Sequence, residues 1–162
     1  VDRFLSVFGD ASLTWDDLEF VFERTDLPVI IKGILHPDDA RKAVDAGAAG
    51  VQVSTHGGRQ IDGSISAIEA LPDIVDEVGD ETTVLFDSGI RRGEHAFKAL
   101  ALGADSVMLG RPFVYGLAHS GQAGVEQVLR NTLSQLDLTM GLAGIDAASD
   151  IDSEAVCDEK TL

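Results

Sequence analysis

The chain has one cysteine, no long apolar run and few basic residues. The single Cys157 excludes an internal disulfide, so nothing in the sequence points to an oxidising compartment. No apolar segment approaches the roughly 20 residues of a membrane span, and no basic-then-apolar signal peptide opens the sequence. These absences predict a cytoplasmic protein with no membrane partner.

Basic residues are outnumbered, with 12 Lys and Arg against 28 Asp and Glu, which leaves a net charge of −16. Such a charge repels phosphate backbones, so nucleic acid is not expected as a partner. The Cys, His and carboxylate residues show no metal-site spacing, so no metal is predicted. Strong negative charge is used by salt-adapted organisms, and a halophilic source and a merely acidic protein both stay open.

The 162 residues, 44% of them hydrophobic, are enough for one domain with a real core. Apolar periodicity predicts one helix followed by four strand–helix units, and therefore a parallel α/β sheet. The predicted helices are 15–24, 37–46, 65–78, 94–102 and 124–140, and the predicted strands are 29–31, 50–54, 83–86 and 106–109. Pro72 is expected to interrupt or restart its helix. Residues 146–162 are expected to form an acidic tail after a domain over 1–145, and residues 145–162 are expected to be frayed.

Polar and charged residues follow every predicted strand. In parallel α/β sheets, ligands bind beyond the carboxyl ends of the strands. The residues at these ends are Lys32 after the first strand, Ser54, His56 and Arg59 after the second, Asp87, Ser88, Gly89 and Arg91 after the third, and Gly110 and Arg111 after the fourth. Four such endings in succession indicate a functional site.

The residue types indicate a proton-transfer site beside a phosphate site. His56 exchanges protons near neutral pH, and Arg59 suits a carboxylate. Backbone N–H groups at Gly89 and Gly110, next to arginines, suit a phosphate. A lone histidine is more commonly a turn residue, and His56 is interpreted as functional because of these neighbours. The other histidines, 36, 95 and 119, are expected at the surface, with His119 in a Gly-rich loop.

Several motifs are specific in sequence and spacing: VIIKGI, VSTHGGRQIDG, FDSGIRRG, KALALGADSVMLGRP and DLTMGLAG. Together they resemble the FMN-dependent 2-hydroxy-acid oxidising family, which includes glycolate oxidase and lactate oxidase. FDSGIR is most similar to the lactate 2-monooxygenase branch. The resemblance implies a TIM (β/α)8-type barrel, present here as its C-terminal half of about four βα units plus a preceding helix. It also implies FMN as cofactor and oxidation of a small, lactate-like L-2-hydroxy acid to the 2-keto acid or its decarboxylated product.

The resemblance also implies residue roles. His56 matches the catalytic base, Arg59 the clamp on the substrate carboxylate, and Lys32 the lysine beside flavin N1 and O2. The remaining positions of the implied cofactor site are Ser54, Asp87, Ser88, Gly89, Arg91, Gly110 and Arg111. Thr55 departs from the family, which usually has Asn there, and this change bears on how His56 is held.

Two other interpretations stay open. One is a non-catalytic half-barrel that persists as a remnant or as the assembly partner of a separate N-terminal half. The other is a different phosphate-binding barrel, such as isopentenyl diphosphate isomerase or inosine monophosphate dehydrogenase, which HGGRQ and the tail position of Cys157 disfavour. Because a half-barrel has two open sheet edges, a homo-oligomer or a complementary N-terminal half is expected as partner.

The net charge generates a test of salt adaptation. If self-repulsion limits stability, added KCl screens it, so the melting temperature Tm should rise with salt. Thermal melts followed by circular dichroism at increasing KCl measure this. A Tm that stays flat, or one that sucrose raises as much as KCl does, would argue against charge screening.

Overall fold

A computed structural model describes residue 10 and residues 12–157. A short helix precedes four strand–helix units, as the periodicity predicts. The strands are β1 (Ile30–Ile34), β2 (Gly50–Val53), β3 (Thr83–Phe86) and β4 (Ser106–Val107). The helices are α1 (Leu18–Phe22), α2 (Pro37–Asp45), α3 (Ala67–Val78), α4 (Gly93–Ala101) and α5 (Arg111–Ala143). Single 3-10 turns lie at Trp15–Asp17, His56–Gly58, Ala148–Asp150 and Ser153–Ala155.

The four strands form one parallel sheet in the order β1-β2-β3-β4. Lys32 pairs in register with Gln52, and Gln52 with Leu85. The register between β1 and β2 shifts between Lys32 and Ile34, where Gly33 has a φ of +98°. Since parallel strands end at the same edge, the loops after all four strands meet there.

Helices pack on the sheet around an apolar core. Its fully buried side chains include Val51, Val53 and Phe86 from the strands and Leu71 and Ile74 from α3. Burial of each large side chain contributes about 1.5–3 kcal/mol. This core keeps the strand ends in a fixed relative position.

Helix starts follow local capping. His36 is the N-cap of α2, where its side chain accepts from the Asp38 N–H. Ser66 and Glu69 form a capping box, so α3 begins two residues later than predicted. The expected interruption at Pro72 is wrong, because α3 is continuous through this residue. Pro72 removes one helical hydrogen bond, but the burial of its neighbour Leu71 holds the helix against the sheet.

The fourth unit differs most from the prediction. β4 has two residues, although the Met108 N–H still donates to Phe86 O at 2.8 Å. α5 begins at Arg111, so residues 111–119 are helical and the predicted loop around His119 is wrong. Ser120 and Gly121 have non-helical backbone angles. They divide α5 into two arms, which meet at two buried glycines, Gly116 and Gly124.

The C-terminal segment packs against the domain as far as residue 157. Ile151 is buried in a small cluster with Phe97 and Ala101 of α4. The expectation of a frayed tail is therefore wrong for the described part of this segment, because an apolar anchor holds it. Within residues 12–157, no helix combines the length and the apolar character needed to cross a membrane.

Close contact between α4 and α5 makes a test of the packing. A Cβ on Gly93 would lie 2.6 Å from Gln135 Cβ and would also meet the backbone of α5. Gly93→Ala should therefore lower the free energy of unfolding by about 1–3 kcal/mol, measured by urea denaturation. Gly141→Ala is the matched control in open space, and it should raise the same quantity by about 1 kcal/mol. Equal effects of the two substitutions would contradict this contact.

Candidate active site

A cleft of about 920 Å³ lies at the carboxyl ends of the strands. Every site residue predicted from the sequence lines it, except Ser54: Lys32, His56, Arg59, Asp87, Ser88, Gly89, Arg91, Gly110 and Arg111. Ser54 is buried, with 1% of its surface exposed. The topology thus brings residues from all four strand ends to one cleft, and its size is typical of a small-molecule site.

Asp87, directly after β3, is the centre of the hydrogen-bond network. Its Oδ1 accepts from the hydroxyls of Ser54 at 2.5 Å and Ser88 at 2.6 Å. Its Oδ2 accepts from Gln52 Nε2 at 2.7 Å and lies 3.5 Å from Lys32 Nζ. Burial raises the pKa of the Asp87 carboxyl, but the bonds from Ser54 and Ser88, the charge of Lys32 and the bond from Gln52 together outweigh burial. The pKa of Asp87 consequently lies below its usual value.

The Ser54 hydroxyl connects Asp87 to two other predicted site residues. It accepts from Lys32 Nζ at 2.8 Å and from the backbone N–H of His56 at 3.1 Å, while it donates to Asp87. A hydroxyl has one donor and two acceptor positions, so this group is fully used within the protein. Ser54 therefore connects residues that line the cleft without lining it itself.

His56 lies in the 3-10 turn His56–Gly58 and is half-buried. The Ser88 hydroxyl accepts from the N–H groups on either side of it, those of Thr55 and Gly57, at 3.1 Å each. Arg111 Nη2 donates to Gly57 O at 2.7 Å. Among the described residues, no group hydrogen-bonds to the imidazole, so both ring nitrogens are free to act on a ligand.

Sequence reasoning missed Gln52 and Gly33. Gln52 lies two residues before Ser54, so the two side chains point to the same face of the sheet. The sequence feature that could have identified Gln52 is a lone amide in an otherwise apolar strand. Gly33 makes room for the catalytic histidine predicted above, because a Cβ there would lie 2.8 Å from His56 Cε1. The first turns of α5 also add Phe113 and Tyr115 to the cleft, and this part of the chain was predicted as a loop.

The low pKa of Asp87 links stability to pH. An ionised group whose pKa is depressed by folding stabilises the protein above its unfolded pKa of about 3.9, and this contribution is lost as the pH falls through the folded value. Asp87→Asn should lower the free energy of unfolding at pH 7 by about 1–3 kcal/mol, because Lys32 loses its counter-charge and Gln52 loses its acceptor. The deficit should shrink below about pH 4. Urea denaturation across this pH range measures it, with the exposed Asp62→Asn as control. A deficit independent of pH would contradict this role.

Comparison with known proteins shows the family of the chain. Residues 1–158 match the FMN-dependent dehydrogenase family. The chain is 46% identical over 155 residues to the FMN-dependent alpha-hydroxy acid dehydrogenase qulF of Penicillium citrinum, with 96% of this chain and 39% of that protein covered. It is 50% identical over 133 residues to an L-lactate oxidase of Lysinibacillus sphaericus, with 82% of this chain and 34% of that protein covered.

Solved structures give the same result. The crystal structure of mandelate oxidase with benzoyl-formic acid matches with a TM-score of 0.81 at 48% identity, covering 88% of this chain and 42% of that one. The chain spans well under half the length of the relatives it matches, and its parallel βα units confirm the predicted half of a TIM-type barrel. FMN is the cofactor named for this family and for qulF, and it is the cofactor predicted from the sequence. The chain belongs to the FMN-dependent dehydrogenase family.

Proposed function

We propose that the chain is the part of an FMN-dependent 2-hydroxy-acid oxidoreductase that carries the catalytic base, the substrate clamp and the cofactor phosphate site. The observation that supports this proposal is the convergence of His56, Arg59, Lys32 and Arg111 on one cleft. Lys32 comes from β1, His56 and Arg59 come from the segment after β2, and Arg111 comes from the start of α5. Each supplies a group that the oxidation of a hydroxy acid requires.

The cleft suits an anionic cofactor. It contains four of the 12 basic residues of a chain with a net charge of −16, and one carboxylate, Asp87, which its donors already engage. Neither Arg59 nor Arg91 forms an ion pair with a described carboxylate. A Cβ added to Gly89 or Gly110 would meet no atom within 4 Å, so the backbone of both residues is accessible from the cleft.

These features fit FMN. Gly89, Arg91, Gly110 and Arg111 would hold its phosphate through backbone N–H groups and charge-assisted bonds. Lys32 would act on the flavin ring, because its ammonium has three N–H groups and, among the described residues, donates one of them to Ser54, while Asp87 lies at ion-pair distance. The hydroxyls of Ser54 and Ser88 are used by the protein, so these two residues would serve the cofactor by supporting its neighbours.

The chain's own residues supply the acid–base part of the reaction. His56 accepts the proton of the substrate hydroxyl on a ring nitrogen. Arg59 binds the substrate carboxylate through two parallel hydrogen bonds and so orients the hydroxyl carbon. FMN, when bound, would accept the Cα hydrogen together with the two electrons that the hydroxy acid loses.

The finer parts of the function are supported by resemblance. FDSGIR and the similarity to an L-lactate oxidase favour a lactate-like substrate, and FDSGIR favours the monooxygenase outcome. β1 and β4 are the outer strands of the described sheet, and we propose that the other half of the barrel or a second copy pairs there. A cytoplasmic location and salt adaptation are proposed from composition.

The proposed function is tested by flavin reduction. The purified protein, in high salt, should bind FMN more tightly than riboflavin, because riboflavin lacks the phosphate that Gly89, Arg91, Gly110 and Arg111 are proposed to bind. Anaerobic L-lactate should then bleach the visible flavin absorption. His56→Ala should keep FMN and lose about 10²–10⁴-fold in the bleaching rate, the range for a general base.

His119→Ala is the matched control, because this exposed histidine lies on α5 outside the cleft. It should bleach like the wild type. Equal bleaching by His56→Ala would contradict the base assignment. A protein that takes up no FMN, alone or with an N-terminal half of the barrel, would favour the non-catalytic interpretation.

A further inference from the structure

Two non-glycine residues in the described part of the chain have a positive φ, His56 at 55° and Ser88 at 75°. The left-handed region costs an ordinary residue about 1–2 kcal/mol. Such residues persist where their surroundings determine the backbone, and they are common at functional sites. These two are in contact, because the Ser88 hydroxyl binds the N–H groups of Thr55 and Gly57 that flank His56.

The Ser88 hydroxyl has no capacity left for a ligand. It accepts two N–H hydrogen bonds at 3.1 Å and donates one bond to Asp87 Oδ1 at 2.6 Å. These three bonds fill its one donor and two acceptor positions. A direct hydroxyl contact with a cofactor would require breaking one of them.

Three successive N–H groups around His56 are held by two serines. Ser88 takes those of residues 55 and 57, and Ser54 takes that of His56 itself at 3.1 Å. Both hydroxyls donate to the same oxygen, Asp87 Oδ1, which fixes their orientation. The conformation of the turn is therefore set from the end of the neighbouring strand β3.

Glycine would adopt the Ser88 backbone without strain, yet it would leave two N–H groups of the turn without their acceptor. The strain of a serine at this position is offset by its three hydrogen bonds, each worth about 1 kcal/mol. What the hydroxyl adds beyond a glycine is the restraint on the turn that carries His56.

We propose that Ser88 is a positioning residue that holds the His56 turn in its reactive conformation. The proposal rests on the proposed function, in which His56 is the base. Without the hydroxyl, the turn loses two of its anchors and the imidazole samples positions away from the substrate hydroxyl. A displacement of about 1 Å can reduce a rate about 100-fold.

The test compares Ser88→Gly and Ser88→Ala with the wild type, in the full-length protein loaded with FMN. Ser88→Gly removes the hydroxyl and relieves the backbone strain, whereas Ser88→Ala removes the hydroxyl and keeps the strain. Ser66→Gly is the matched control, because it removes a serine hydroxyl that caps α3 away from the cleft. Amide hydrogen exchange of residues 54–59, kcat, KM for L-lactate and the Kd of FMN are measured.

Both Ser88 variants should exchange amides in residues 54–59 about tenfold faster or more, and kcat should fall roughly tenfold to a hundredfold. KM and the Kd of FMN should change by less than about threefold, because Arg59 and the residues proposed to bind the FMN phosphate are unchanged. Ser66→Gly should match the wild type in all four quantities. Ser88→Gly should also be more stable than Ser88→Ala, although kcat falls in both variants. The loss of kcat would then not follow the loss of stability, as it would if unfolding caused it.

Three results would overturn the proposal. One is an active wild type with unchanged kcat and exchange in both Ser88 variants. Another is a weakened Kd of FMN with unchanged kcat in the loaded enzyme, which would make Ser88 a cofactor-binding residue. The third is a wild type that binds FMN but oxidises no 2-hydroxy acid, which refutes the proposed function itself and is recognised before any variant is compared.

Discussion

Three hydrogen-bond donors and the ammonium of Lys32 converge on the carboxylate of Asp87, and the arrangement of the cleft depends on this convergence. Gln52 and Lys32 reach it from β2 and β1, and the hydroxyls of Ser54 and Ser88 reach it from the ends of β2 and β3. An ionised carboxylate that is partly withdrawn from water, as Asp87 is, is stabilised by such partners. One ionised group therefore sets the relative positions of three strand ends, and through two serines it also sets the turn that carries His56.

The charge of the whole chain is opposite in sign to the charge gathered in the cleft. Over the whole chain acidic residues dominate, with a net charge of −16, while the cleft concentrates cationic side chains around one engaged carboxylate. Acidic residues elsewhere form their own pairs, as where Arg41 of α2 binds Glu77 and Glu81 at 2.8 and 2.9 Å and so connects α2 to α3. The negative surface favours solubility, and the local positive potential favours an anionic ligand.

Much of the fold and of the cleft was predictable, because strand periodicity and strand-end residues are local signals. The order of units, the parallel sheet and the meeting of Lys32, His56, Asp87 and Arg111 at one cleft follow from them. The helical start of α5 was not predictable, because the glycines around His119 indicated a loop, whereas the small size of Gly116 and Gly124 lets two helical arms touch. The role of Gln52 was hidden because it depends on a partner 35 positions away, Asp87, reached only across the sheet.

β4 is the shortest strand of the described sheet, and its ladder with β3 contains two residue pairs, those of Ser106 and Val107, extended by the bond from the Met108 N–H to Phe86 O. Met108 and Leu109 connect it to Gly110 and Arg111, so the corner formed by these two residues, which is proposed to bind the phosphate, follows the shortest backbone ladder of the described sheet. Local opening is easiest where few ladder bonds must break. By mass action, a ligand that binds only the closed corner raises the apparent stability of this edge with its concentration. The edge of the sheet with the fewest ladder pairs is therefore the one whose stability should depend most on a bound ligand.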